Sequence, residues 1–297
     1  MALVFRSARY AISTCFRIFR STMEGAGRRS GGMAIVARHA PLIQSPAKEV
    51  KSMSTAQGGR PEMTVRTIEP AQHTAAKVAG FIYLLTTFIS VFGVFYVRGQ
   101  LIVSGDAVQT ARNIAASERL FRIGTVCDVI GFVGVILVVA LYVILKPIDR
   151  HVALFAAFCR LGECFVIAVI TVNDFAALSL LSGADYLRAF DTQQLQALAY
   201  TFLRVHTAGY QIGIVFFGVG STVFAWLWFK SRYIPRGLAA LGIFSSLVMA
   251  ILMLAFMVFP ALATVVTPVY YGPPGFIFEV GLGLWLLVKG IQAPIVE

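Results

Sequence analysis

Ionisable side chains interrupt the long apolar stretches of this chain, and they are the residues most able to do chemistry. There are seven of them: Asp128, Arg160, Glu163, Asp174, Arg204, His206 and Glu279. An ionised group in hydrocarbon costs several kcal/mol unless it is paired or hydrated. Such side chains therefore face the interior of a helix bundle, where they form ion pairs, exchange protons or bind ions.

Helical spacing predicts how these residues group. Arg160 and Glu163 lie one turn apart, which favours a structural ion pair. Asp128 and Glu279 are each the only acid in their apolar stretch, and glycines share their helix faces, so that a neighbouring helix can approach closely. The predicted intramembrane polar site has five members: Asp128, Asp174, Arg204, His206 and Glu279.

Two interpretations of this site stay open. In the structural one, Arg204 pairs with one or two of the acids Asp128, Asp174 and Glu279 to fix helix register. In the functional one, the cluster is a polar cavity for a small solute, an ion or a proton. Four acids face two arginines, an excess that favours a protonatable carboxylate or a cationic ligand over an anion. His206 is interpreted as a packing residue, and no metal or cofactor is predicted.

Recognisable catalytic motifs are absent from the sequence. It contains no HExxH, Walker A loop, GxSxG elbow or dinucleotide fingerprint, and its cysteines form no CxxC pair. No catalytic residue is predicted, and an enzyme is not favoured. A structural or assembly subunit is the first alternative to a solute-handling protein, and an intramembrane lipid-modifying enzyme is the second.

The composition predicts an all-α, polytopic membrane protein with the lipid bilayer as its partner. The chain is 58% apolar and 13% charged, with a mean hydropathy of +0.79, whereas soluble domains are about 45–50% apolar and about 25% charged. Apolar runs predict six transmembrane helices, at residues 78–97, 123–145, 152–181, 200–229, 238–259 and 273–291. Pro273 and Pro274 are expected in the first turn of the last one.

The remaining residues form tails. Residues 1–76 carry 11 Lys and Arg against 4 Asp and Glu, which predicts a disordered basic tail before a membrane domain at 77–292 and a short tail at 293–297. The Arg-rich start resembles an organelle transit peptide, but Met53 is favoured as the true first residue. The positive surplus lies in this tail and in short loops, so that a nucleic-acid partner is not expected.

The distribution of basic residues predicts the orientation. With both termini cytoplasmic, inner loops and flanks hold seven Lys and Arg, against five in the outer loops. One outer loop is expected to contain a helix from Ala107 to about Arg122, with Asp106 as its N-cap. Whether this helix lies in the interface or simply extends the second transmembrane helix is left open.

This orientation predicts the depth of the polar site. Asp128, Arg204, His206 and Glu279 lie near the start of helices that enter from outside, within about 10 Å of the outer surface. Asp174 lies at the outer end of the third transmembrane helix. We therefore expect Asp128 and Glu279 to point into the bundle near Arg204, with Asp174 in the same zone.

Five stretches of the chain carry a family resemblance: GDAVQTARNIAASERLFRIGTVCDVI (105–130), LYVILKPIDRHVALFAAFCRLGE (141–163), QLQALAYTFLRVHTAGYQIGIVFFG (194–218), KSRYIPRGLAALG (230–242) and FEVGLGLWLLVKG (278–290). Together they resemble a bacterial integral-membrane family catalogued as domain of unknown function 4386. The resemblance covers about residues 77–292. It implies several transmembrane helices and a location in the bacterial inner (plasma) membrane, and it implies no activity or catalytic residue.

Overall fold

The computed structural model describes residues 68–292, and these fold into a bundle of helices without strands. The main helices are α1 (Pro70–Leu101), α2 (Ala107–Ala116), α3 (Glu118–Leu145), α4 (Arg150–Leu181), α5 (Thr192–Ser231), α6 (Arg236–Val258) and α7 (Pro268–Val288). Short helical turns lie in the loops at Asp185–Ala189 and Leu262–Val265. The predicted start at Met53 and the two tails fall mainly outside the described residues.

Six of these helices, all except α2, are long and apolar enough to cross a membrane, which confirms the predicted all-α transmembrane bundle. Several are longer than expected. Helices α1 and α4 have 32 residues and α5 has 40, lengths of about 48 and 60 Å against roughly 30 Å of hydrocarbon. The chain is therefore a multi-pass membrane protein whose longest helices extend beyond the hydrocarbon layer.

Small residues set the closest approaches between helices. Helix α5 packs along α4 on one side and α6 on the other, while α1 packs against α7 and α3. Where α1 meets α7, a Cβ added at Gly80 would lie 2.7 Å from the carbonyl oxygen of Gly283. Two backbones can approach this closely because neither residue has a side chain at the contact.

An apolar core closes one end of the bundle, at the α1–α2 and α4–α5 loops. We call this the α2 end. Its fully buried residues come from five helices: Val97, Leu101, Ile114, Phe121, Ala177, Leu178, Ala199 and Leu203. Helix α2 contributes Ile114 and packs against α5. The core ties α2 to the ends of the long helices.

The loop helix α2 is separate from the second transmembrane helix. As predicted, Asp106 is its N-cap, and the Asp106 carboxylate accepts a hydrogen bond of 2.8 Å from the backbone N–H of Gln109. The predicted end near Arg122 is wrong, because Ser117 leaves helical geometry with φ −134° and ψ 45°, and α3 begins at Glu118. Helix α2 is thus not an extension of α3.

The last transmembrane helix begins earlier than predicted. Pro268, rather than Pro273, occupies its first turn, and Pro273 and Pro274 lie inside it. A proline at the first position fits a helix start because its missing N–H would be unpaired there in any case. The earlier start moves every residue of α7 deeper into the helix than the sequence suggested.

Candidate functional site: a buried ion-pair cluster

One arginine joins two aspartates from different helices near the α2 end. The Nη2 atom of Arg98 lies 2.6 Å from Oδ2 of Asp128 and 2.7 Å from Oδ2 of Asp174. The Asp174 side chain is fully buried, and the hydroxyl of Thr125 donates to its Oδ2 at 3.3 Å. Hydrogen bonds between ionised groups are shorter and stronger than hydrogen bonds between neutral groups.

His206 completes this group. Its Nδ1 atom lies 3.2 Å from Oδ1 of Asp174, and its Nε2 atom lies 3.8 Å from Oδ2 of Asp128. The side chain is 3% exposed, and Nδ1 has no hydrogen-bond partner among the described residues. The imidazole therefore faces both carboxylates at ion-pair distance. We call Arg98, Asp128, Asp174 and His206 the end cluster.

Local departures from α-helical geometry accompany three of these residues. A π-helical segment of α1, Phe92–Arg98, ends at Arg98. A 3₁₀ turn of α3, Gly131–Val133, begins three residues after Asp128, and α4 is interrupted at Thr171, three residues before Asp174. Such irregular turns re-aim side chains, and π-helical turns often occur at functional sites.

Close packing of α1 against α3 brings the first ion pair together. A Cβ added at Gly124 would lie 2.7 Å from Cγ1 of Val97. Gly124 is one turn before Asp128, and Val97 is next to Arg98 in sequence. The small residue predicted on the Asp128 face thus allows α1 to approach, and this approach sets Arg98 beside the carboxylate.

Arg204 is not part of the cluster. It lies on an exposed position of α5, and it forms no ion pair within residues 68–292. Side chains two positions apart on an α-helix point about 200° apart. Because His206 is turned inward, Arg204 must point outward. Arg204 was expected to pair with the acids, but Asp128 and Asp174 pair with Arg98 instead.

Glu279 lies in a second group. It accepts a hydrogen bond of 2.7 Å from the hydroxyl of Thr87, and it interacts electrostatically with Arg160. The Nη1 atom of Arg160 lies 2.9 Å from Oε2 of Glu163 and 3.4 Å from the hydroxyl of Ser221. We call these five residues the middle cluster. Four helices contribute to it: α1, α4, α5 and α7.

The two clusters lie at different depths. Thr87 and Arg98 are eleven residues apart on α1, and Glu163 and Asp174 are eleven residues apart on α4. Both intervals correspond to about 16 Å along a helix. Glu279 belongs to the deeper group because it accepts the hydrogen bond from Thr87. The single outer zone expected for Asp128 and Glu279 is thus divided in two.

Arg98 is the cluster residue that sequence reasoning missed. It follows an uncharged run of twenty residues, so that the sequence predicts it just outside the first transmembrane helix at 78–97. In the structure, α1 continues three residues beyond it, to Leu101. The signal that could have found it is the apolar residue Leu101, which follows the arginine by three positions and ends the helix.

The end cluster also contains a set of donor atoms suited to a cation. One ligand atom each from Asp128, Asp174 and His206 lie within 4.8 Å of one another. Carboxylate oxygens and imidazole nitrogens are common ligands of divalent metal ions. This geometry was not expected from the sequence, where His206 is a lone histidine.

Comparison with known families agrees with the architecture. The family model described as "Domain of unknown function (DUF4386)" matches residues 78–290. The chain belongs to this family. The match spans all six transmembrane helices and both clusters of this DUF4386 protein. No curated protein and no solved structure matches the chain.

Proposed function

We propose that this DUF4386 protein handles or senses a proton or another small cation through the end cluster. The observation that carries the proposal is that one guanidinium serves two carboxylates while a buried imidazole faces both. Ionisable groups inside membrane helices are costly and face the bundle interior. A cluster of four such groups therefore supports a role beyond packing.

The charge balance supports a cationic ligand. Asp128 and Asp174 carry two negative charges when ionised, and Arg98 supplies a single positive one. With a neutral His206, one negative charge remains inside a site that is almost closed to water. A proton or a small cation removes this excess, because an uncompensated charge is expensive in a low-dielectric environment.

The contacts of the acids differ in a way that suits a reversible site. Asp174 is fully buried and contacts Arg98, Thr125 and His206, whereas Asp128 is 12% exposed. A purely structural ion pair needs Arg98 and one acid. The second acid and the histidine are additional to such a pair, and they support a site that also binds a ligand.

The location and orientation are part of the same proposal. We place the protein in the bacterial inner membrane with both termini cytoplasmic. The excess of Lys and Arg on the predicted inner side supports this arrangement. It would put the end cluster toward the outer surface, where ions and protons arrive from outside the cell.

The test measures linkage between ligand and stability. Purified protein in lipid nanodiscs is heated at several pH values and at several concentrations of Na⁺ and Mn²⁺. A ligand that binds only the folded state raises Tm as its concentration rises. We expect the wild-type Tm to depend on pH or on one of these cations, and we expect Asp128→Asn and His206→Gln to lose this dependence.

The control is Glu118→Gln, which removes an exposed carboxylate from the same helix as Asp128. It should keep the wild-type response. If Asp128→Asn and His206→Gln respond to every cation and to pH as the wild type does, the end cluster is a structural ion-pair network and the proposed function is wrong.

A further inference from the structure

We infer that Asp128, Asp174 and His206 form a binding site for a divalent transition-metal ion, and that Arg98 competes with the metal for it. This inference rests on the proposed function of the end cluster as a cation site. It names the ligand class and assigns Arg98 a role. It differs from a general polar cavity because it depends on the His206 imidazole and on the carboxylates of Asp128 and Asp174.

The donor set is the first support. Two carboxylates and one imidazole come from three helices, α3, α4 and α5, with ligand atoms within 4.8 Å of one another. Mixed oxygen and nitrogen ligands suit first-row divalent metals, whereas sites made only of oxygen suit Mg²⁺ and Ca²⁺. Three protein ligands also leave coordination positions for water or another solute.

The state of His206 is an independent observation that points to a ligand. Its side chain is 3% exposed, and its Nδ1 atom lies 3.2 Å from a carboxylate oxygen of Asp174 but makes no hydrogen bond within residues 68–292. Buried polar atoms nearly always have hydrogen-bond partners, and those that do not need an explanation. A metal ion bound between His206 and the carboxylates would give the imidazole a partner.

The Arg98 guanidinium occupies the position between the two carboxylates that a bound cation would take. Its Nη2 atom contacts Oδ2 of Asp128 at 2.6 Å and Oδ2 of Asp174 at 2.7 Å, so that one positive nitrogen bridges both acids. A metal ion bound to the same two oxygens would lie close to this nitrogen, and two cations repel each other at such a distance. Metal binding therefore requires Arg98 to withdraw.

Helix α1 offers a place for this movement. Arg98 is the last residue of the π-helical segment Phe92–Arg98, and its side chain is 17% exposed, the most exposed of the cluster. A π-helical turn differs from an α-helical turn by one residue, and such turns are often found where function requires a change in backbone geometry. A return of this segment to α-helical geometry would rotate Arg98 away from the acids.

The experiment uses Mn²⁺ and the full chain in nanodiscs after treatment with a chelator. Free Mn²⁺ is followed by its electron paramagnetic resonance signal, which weakens when the ion binds. We expect the wild type to bind Mn²⁺ saturably, and His206→Gln to bind it at least roughly ten-fold more weakly because one ligand is lost. Arg98→Gln should bind it at least roughly ten-fold more tightly, because the competing cation is gone.

A matched control keeps these results interpretable. His73 is an exposed histidine on α1, and His73→Gln should bind Mn²⁺ as the wild type does. Both proteins are also heated at one Mn²⁺ concentration, a hundred-fold above the Kd of Arg98→Gln. The Tm of Arg98→Gln should rise by roughly 5 °C, and the Tm of the wild type should rise by less. This reversal, in which a metal ion restores a protein that has lost an arginine, is specific to competition at one site.

Three results would overturn the inference: no saturable binding by the wild type, equal binding by wild type and His206→Gln, or binding by folded Arg98→Gln that is no tighter than by wild type. If Arg98→Gln does not accumulate as a folded protein, the comparison of wild type with His206→Gln decides alone. A Tm that still depends on pH or Na⁺ through Asp128, without Mn²⁺ binding, would reject the metal and keep the proposed function. Loss of every such dependence would reject both.

Discussion

Arg98 and Asp174 are 76 residues apart in the chain, and their side chains meet in the bundle with Nη2 and Oδ2 2.7 Å apart. Asp174 is fully buried, so that this arginine is its main source of positive charge. The contact fastens the end of α1 to the end of α4. It also makes the carboxylate dependent on a residue of α1.

The first prediction compares Arg98 with Arg204. Arg98→Met leaves two carboxylates without their cation, and removing one partner of a buried ion pair costs about 3–5 kcal/mol. Arg204 is exposed and unpaired within residues 68–292, so that Arg204→Met should change stability by no more than about 0.5 kcal/mol. Unfolding of both variants in the same detergent micelles measures the difference. Equal losses would contradict the assignment of Arg98.

The second prediction concerns the middle cluster. The Arg160 guanidinium contacts Glu163 at 2.9 Å and lies 4.2 Å from the ring centroid of Phe217. Arg160→Met should therefore destabilise the protein by about 3–5 kcal/mol. Glu279→Gln should cost less than about 1.5 kcal/mol, because the amide oxygen can still accept the hydrogen bond from Thr87. Thermal unfolding measures both variants. A larger loss of stability in Glu279→Gln than in Arg160→Met would contradict this order.

The third prediction concerns the contact between α1 and α7. A methyl group at Gly80 would lie 2.7 Å from the backbone oxygen of Gly283, so that Gly80→Ala should push the helices apart and cost about 1–3 kcal/mol. Gly237 provides the control, because a methyl group there meets no atom within 4 Å. Gly237→Ala should leave the unfolding temperature unchanged or higher. A harmless Gly80→Ala would mean that the two helices are farther apart than the structure shows.

The fourth prediction concerns orientation. In a chain freed of its native cysteines, single cysteines are placed at Gln109 in α2 and at His151 at the start of α4, two exposed positions at opposite ends of the bundle. An impermeant thiol reagent applied to intact cells should label position 109 and spare position 151, since the predicted cytoplasmic side carries more Lys and Arg. The reverse pattern would place the end cluster toward the cytoplasm.

Helical spacing in the sequence predicts only part of the cluster that the structure forms. Glycines share the helix faces of Asp128 and His206, and Asp174 is aligned with Glu163, eleven residues before it. The structure brings Asp128, Asp174 and His206 together. Arg204 was misplaced although it is only two residues from His206. Phase on a single helix states which residues share a face, and it does not state which face meets which neighbour.

The sequence by itself determined the six transmembrane helices, because each requires only about twenty consecutive apolar residues, a property of one segment at a time. Only the tertiary structure decided that Arg98 serves both aspartates and that Glu279 lies deeper, with Arg160. These pairings depend on the rotation and axial offset between neighbouring helices. Both are set by close contacts such as Gly80 against Gly283 and Gly124 against Val97. These contacts join residues far apart in the chain, and the spacing of glycines within one helix does not identify the neighbouring helix that packs against them.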